Sequence, residues 1–315
     1  MKWGRRALLV SALMTFMHLP AQAEVNWQSP YFRDAPLVGK VFAADGPTDA
    51  NLETIKQRAA RANYVLLGEI HPNPDHHRLQ AEVLQYMVDQ GRKPAVVFEM
   101  ATRAQQPVLD NISANPPADL STIADLLEWT DTGWPDFAMY QPLFEIALKN
   151  GLALLAGNLE KGTVRRLGGR VGAPLSSAER SQLGLDVQLE EALNSSLLRQ
   201  ISEGHCNMMP EKVLPLMADI QRARDFTMAA AMTLASNRDG AVLIAGAGHT
   251  RLDWGVGRIL GNAGSSQMVS VAFAEMFDGA ADKDFTNSSH NYTMITPRID
   301  VTDHCTQFKK RQNAG

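Results

Sequence analysis

No apolar run in this chain reaches the ~20 residues that a membrane-spanning helix needs, so no stable membrane span is expected. Basic residues are not in excess either: 30 Lys and Arg stand against 34 Asp and Glu, for a formal charge of −4. A nucleic-acid face needs a basic patch that displaces counterions, and that class of partner is excluded. Cysteine is scarce, with Cys206 and Cys305 alone. In an oxidising compartment they form one disulfide, otherwise a free pair, and spacing leaves both open. The sequence has no C-x-x-C-H for covalent haem attachment, no G-x-S-x-G nucleophile elbow and no internal repeat.

What is present begins with Lys2, Arg5 and Arg6, followed by an apolar stretch over 7–19 and by Pro20-Ala21-Gln22-Ala23. This pattern reads as a secretory signal peptide over 1–23 with an A-x-A cleavage site. The arginine pair admits a twin-arginine route, but its flanking residues favour Sec export. No cysteine stands at the cleavage site to carry a lipid, so the mature chain is expected free in the periplasm. Losing three positive charges leaves it at −7. With 45% hydrophobic residues it can bury a large core. We expect one main domain over 24–278, and a polar, aperiodic C-terminal extension over 279–315.

Short apolar runs at 64–67, 95–98, 152–156, 241–245 and 268–273 are continuous rather than alternating, as in strands covered on both faces. Helix-like segments separate them. The predicted class is therefore α/β, a mainly parallel sheet flanked by helices. Asn73 as N-cap, Pro74 at the first helical position and Gly91 past the end punctuate one helix well. Over 176–237 strand signals stop and a Met- and Ala-rich helical pattern takes over, which we read as a smaller helical insertion packed beside or over the sheet's edge.

The strands end in chemistry. Gly68-Glu69-Ile70-His71 closes the first, Glu99 the second, Gly157-Asn158 the third and Gly246-Ala247-Gly248-His249 the fourth. Ligands of an open parallel sheet bind outside the carboxyl ends of its strands, so Glu69, His71, Glu99 and His249 are expected to share one pocket. Such a set suits a divalent metal held by His71, His249 and Glu99, or acid–base catalysis by all four. The alternative is a buried polar network that only fixes loop geometry. His76 and His77, in the first helical turn, are expected to be solvated surface residues.

Three further stretches stand out. "LEWTDTGWPDFAMYQPL" holds Trp129, Trp134 and Tyr140, which either line an apolar ligand pocket or anchor a loop to the core. "GHCNMMPE" gathers His205, Cys206, Met208 and Met209, all of types that ligate haem iron, although methionines at helix starts usually pack. Arg222 and Arg224 offer cations for carboxylate groups.

On "LLGEIHPNPDHH", "VVFEM" with Gln105-Gln106, "GWPDFAMYQPL", "AGN", "GHCNMMPE", "QRARDFTMA" and "AGAGHTRLDWGVGRIL", the chain resembles the ChaN-like haem-binding uptake proteins of the Tiki superfamily, related to the erythromycin-esterase-like fold. The matching stretches run from Tyr64 to Leu260. The resemblance implies a parallel sheet with a small helical domain, and haem binding in the service of iron uptake at an exported location. It also implies a homodimer holding haem between subunits and haem-transport components as partners. It associates the iron ligand with a tyrosine; Tyr140 is the more accessible candidate of the five, with His205 as the alternative, Met208 beside it and Arg222 for the propionates. Some superfamily relatives are metal-dependent hydrolases using paired Gly-x-x-His motifs, matched here by His71 and His249.

Overall fold

The computed structural model describes residues 26–45, 49–169, 171–235, 239–264, 267–286 and 288–306; the expected signal peptide, 1–23, lies outside them. Seven strands form one sheet in the order β1-β7-β6-β2-β5-β3-β4. They are β1 (Val41–Ala43), β2 (Tyr64–Glu69), β3 (Ala95–Thr102), β4 (Leu154–Asn158), β5 (Ala241–Gly246), β6 (Met268–Glu275) and β7 (Tyr292–Thr296). All neighbours pair in parallel except β1 and β7, which are antiparallel. The five expected strands are β2 to β6. Two short ones, β1 and β7, add to them. β7 matters more, because it places part of the 279–315 segment inside the sheet beside β6 rather than in a polar tail.

Continuous apolarity has the physical cause inferred for it. Val65 and Leu67 of β2 face one buried layer with Val96, Phe98, Val242 and Ile244. Tyr64 and Leu66 face the opposite layer with Val97 and Leu243. On the first side pack α1 (Leu52–Arg61), α2 (Pro74–Asp89), α3 (Gln106–Ala114), α4 (Ile123–Leu126) and α5 (Gln141–Lys149). α2 starts as its sequence dictates: Asn73 Oδ1 accepts from Asp75 N at 3.0 Å with Pro74 next. Gly91, at φ +81, turns the chain after the helix end.

Beyond α6 (Lys161–Leu167) the expected helical stretch appears as α7 (Ser177–Gln182), α8 (Glu191–Gly204) and α9 (Leu214–Leu234). α9 is more than an insertion. Its Met228 and Met232 are fully buried against β2, β3 and β5, with Val256 and Leu260 of α10 (Val256–Asn262) in the same layer. Two buried methionine side chains contribute roughly 1.5–3 kcal/mol each. They dock this helix over the sheet face, so the acidic residue one turn earlier arrives at the strand ends. A short α11 (Asp282–Phe285) precedes β7.

Candidate functional site: a buried acid–base chain and a tethered histidine

Parallel strands deliver their carboxyl ends to one edge, and three adjacent ones, β2, β5 and β3, bring Glu69, Gly246 and Glu99 side by side. Glycine makes the approach possible. A Cβ on Gly68 would stand 2.2 Å from Thr250 Oγ1 and 2.8 Å from Ala247 Cα. One on Gly246 would stand 3.1 Å from His71 Nε2. Gly68 is therefore required by packing, and Gly246 lets the His71 ring lie close against the β5 end.

The side chains alternate acid and base. Asp225 Oδ1 lies 2.5 Å from His249 Nδ1, and His249 Nε2 lies 3.2 Å from Glu99 Oε1. Glu99 Oε2 accepts from Gly246 N at 2.8 Å and stands 3.9 Å from His71 Nε2. His71 Nδ1 donates to Glu69 Oε1 at 2.8 Å, Tyr140 donates its hydroxyl to the same oxygen at 3.0 Å, and His77 Nδ1 stands 2.7 Å from Glu69 Oε2. Asn158 fixes the β3 end by donating to the Glu99 carbonyl at 2.8 Å.

Partner identities assign the protons. His77 Nε2 faces the His71 carbonyl at 2.8 Å, while Nδ1 faces Glu69 and Gln80 Oε1, whose amide is oriented by its own donation to Leu67 O. Every partner accepts, so both ring nitrogens carry hydrogen and His77 is an imidazolium. Burial lowers its pKa, but Glu69 outweighs that and the net shift is upward. Burial likewise opposes charge on His249, and Glu99 with Asp225 overcome it, raising the group to about 10. For Glu69 burial favours the acid, yet His77 and His71 hold it at about 2. Glu99 is held below the usual carboxylate range by His249 against the same burial. Asp225 is pushed the other way, to about 6, because burial outweighs His249 there. For Tyr140 burial, reinforced by the Glu69 charge, raises the hydroxyl so that it stays a donor.

Glu69, His71, Glu99 and His249 thus meet as expected. Three expectations of exposure are corrected. His76 and His77 are buried, not solvated. His76 accepts from Ile70 N at 2.9 Å and donates to Thr296 Oγ1 at 2.8 Å, a neutral cross-tie from β2 to β7 that burial drives down to about 3. Tyr140, expected to be the accessible tyrosine, is fully buried, with its hydroxyl committed to Glu69. Trp129 is a core anchor, donating to Pro135 O, while Trp134 meets the His71 ring edge-on at 4.9 Å. Among the described residues, no group of three or more His, Cys, Asp and Glu side chains is arranged to hold a metal ion. The divalent metal expected on His71, His249 and Glu99 is not supported, because the members neutralise one another.

Asp225, His77 and Gln80 join the cluster beyond the four expected members. Asp225 carries a sequence signal: it is an acid on the stripe that continues into Met228 and Met232, and a lone acid on an apolar face needs a buried partner. Gln80 carries none, since its role depends on where the β2 carbonyl points.

His205 and Met208 sit elsewhere, where α8 ends. Cys206 (φ 61) and Asn207 (φ 54) adopt the left-handed backbone, which residues with a Cβ keep only when surroundings hold them. A disulfide from Cys206 to Cys305 provides that hold, and it decides between the two cysteine alternatives. His205 Nδ1 donates to Ile201 O at 2.7 Å, which fixes Nε2 as the nitrogen with a lone pair. The ring is half-buried beside a small cavity of about 140 Å³ that also touches Gln221, Gly248 and Trp254. Arg222 lies in a separate cavity of about 200 Å³ next to Trp254.

Among the described residues no helix is long and apolar enough to cross a membrane. None of the curated proteins matches the sequence. Solved structures similar to it include ChaN of Campylobacter jejuni with cofacially bound haem, 20% identical, TM-score 0.63, with 80% of this chain and 94% of that one covered. The type III effector HopBA1 is 14% identical, TM-score 0.44, over 84% and 99% of the two chains. An erythromycin esterase in its open conformation is 12% identical, TM-score 0.41, over 85% and 86%. The ChaN likeness shows the fold, and the other two are too distant to carry an argument. The sequence itself matches the family described as haem-binding uptake, Tiki superfamily, ChaN, over residues 55–260, well over half of its length. The chain belongs to that haem-binding uptake family.

Proposed function

We propose that this protein binds haem in the periplasm in the service of iron uptake, with His205 as the iron ligand. Membership of the haem-binding uptake family over 55–260 carries the reading. The residues fit haem at one place better than at another. His205 offers an oriented lone pair with Met208 nearby, whereas the Tyr140 hydroxyl is already committed to Glu69 inside the core. The Cys206–Cys305 disulfide supports an oxidising, exported location. Haem when bound supplies the iron to be carried; the chain's part is to orient Nε2 and shelter it. A cavity of about 140 Å³ cannot enclose a porphyrin, since even drug-sized ligands occupy roughly 300–1,000 Å³. The macrocycle then lies against the surface around His205, and a second copy of the chain would cover its open face, with transport components receiving it.

Titrating residues 24–315 with haemin tests this. A saturable Soret shift at a defined ratio, with earlier size-exclusion elution, is expected. Absence of any shift at stoichiometric haemin would reject it.

One observation favours a second reading, hydrolysis without a metal. His71 has a 30%-exposed side chain while its Glu69, Glu99 and His249 neighbours are buried, and with Nδ1 held by Glu69 its Nε2 is placed to act as a base on water. Of the cavities around Arg222, His205, Arg251, Arg103 and Arg78, none is lined by His71, which favours the haem reading. p-Nitrophenyl ester hydrolysis lost in His71→Ala would support hydrolysis; equal rates in both proteins would remove it.

A further inference from the structure

A cavity of about 200 Å³ lies between the 184–189 segment, α9 and α10, walled by Leu189, Phe226, Trp254 and Ile259. Its one deeply placed charge is Arg222, whose side chain is only 13% exposed. Among the described residues no carboxylate reaches this guanidinium at hydrogen-bonding distance. Asp219 Oδ1 is 3.7 Å away, and that carboxylate is engaged through its other oxygen by Arg180 at 2.9 Å. The donation that Arg222 makes is to the Val187 carbonyl, which is neutral. Arg258, by contrast, sits at the outer rim and is already held by both oxygens of Glu190 at 2.7 Å.

A cation taken out of water is costly when its nearest carboxylate, here Asp219, stands at 3.7 Å and is shared with Arg180, and a bidentate carboxylate is the partner a guanidinium fits best. The apolar walls select what carries that carboxylate. At about 30 Å³ per water in the liquid, the cavity holds roughly the volume of six or seven waters, enough for one ring or a short alkyl arm. The wall is also fixed in place: a Cβ on Gly184, at φ +67, would stand 2.3 Å from the Phe226 ring, so this loop can close on Phe226 only as glycine.

We propose that this cavity is a binding site for a carboxylate borne on a short apolar body, with the carboxylate on Arg222 and the body against Trp254, Phe226 and Ile259. Two sources present that chemistry, a free small aryl or alkyl acid and the propionate arm of a porphyrin lying outside. The site stands independently of His205, whose own cavity shares only Trp254 with it.

Benzoate is the probe, titrated calorimetrically into the full mature chain with its disulfide intact, and benzamide is the uncharged control. One saturable site is expected, at least tenfold weaker for benzamide and at least tenfold weaker in Arg222→Gln. Ile259→Trp fills the cavity while keeping Arg222 and is expected to abolish binding, so the idea stays testable if the arginine variant folds poorly. Equal benzoate affinity in Arg222→Gln, or no saturable site in the parent, would overturn the proposal. Haemin added to the benzoate complex separates the sources. Displacement identifies a propionate arm as the occupant, and unchanged benzoate affinity identifies a free acid. Failure of haemin to bind at all would leave the benzoate result standing, so this inference and the haem reading fail separately.

Discussion

The strand-end cluster and the turn at His205 are built from similar residue types and reach opposite chemical states. In the cluster His77 and His249 lie between acceptors that claim their protons, His71 is held through Nδ1 by Glu69, and each carboxylate meets a histidine. At the turn a single backbone carbonyl takes one ring nitrogen of His205 and nothing described takes the other. Mutual pairing of acid and base makes the first region a fixed point of the fold. An open valence makes the second one a ligand. Crowding of histidines along a sequence therefore measures burial and pairing as readily as it measures ligand binding.

Acidification should break the comparison most completely. A histidine lowered from 6.5 contributes stability that is full above 6.5 and is lost as pH falls; His76, at about 3, and His290, at about 4, both act so, each through burial. A carboxyl lowered from 4.5 to about 2, as His77 and His71 lower Glu69 against burial, contributes stability present above 4.5 and lost as pH falls through 2. Asp225, raised by burial to about 6, works against them, since its contribution is present below 3.8 and lost as pH rises through 6. Glu99, where burial is outweighed by His249, is lowered as well and acts with Glu69, so the lowered groups outnumber Asp225 and the urea midpoint should fall steadily from pH 6.5 towards 3. On the alkaline side His249, raised to about 10, keeps its contribution below 6.5 and loses it as pH climbs through 10. A flat urea midpoint between pH 7 and 3.5 would contradict the buried charges.

Glu99→Ala comes next. It takes from His249 and His71 the carboxylate that stands between them and leaves Gly246 N without its acceptor, and breaking a buried pair costs about 3–5 kcal/mol. Equilibrium urea unfolding measures it, and haemin affinity of the folded variant should stay within about twofold of the parent. Cys305→Ser should cost roughly 2–4 kcal/mol by freeing the chain between the bridged cysteines. Unlike Glu99→Ala it should also weaken haemin binding, because the turn carrying His205 loses its tether. Normal haemin affinity in Cys305→Ser would separate the disulfide from the site. Tyr140→Phe removes one donor from a carboxylate that keeps His71 and His77, a loss of about 1–2 kcal/mol, read from the same unfolding curves.

Part of this contrast is legible in the amino-acid sequence. Uninterrupted apolar runs point to the parallel sheet, and polar strand ends place Glu69, His71, Glu99 and His249 together, because both follow from local periodicity and a rule of sheet geometry. Proton ownership is not legible there, since it depends on the Leu67 and His71 carbonyls and on Asp225 arriving from α9, far along the chain. The burial of His77 and Tyr140 is hidden for a related reason. Each is polar in sequence and is buried only because Glu69, already committed to the core, gives it a partner. β7 is hidden because its neighbours in sequence are polar, while its burial is set by β6 and β1 on either side.

The most direct measurement is a haemin titration of His205→Ala and Tyr140→Phe beside the parent, with folding of each checked by urea unfolding. Replacing His205 removes one hydrogen bond to Ile201 O and should cost about 1 kcal/mol, so loss of the Soret shift in a folded His205→Ala alone, by tenfold or more in affinity, is the predicted result. A Soret shift that survives His205→Ala and disappears in a folded Tyr140→Phe would contradict the account, and would mean that the buried cluster opens to take the haem.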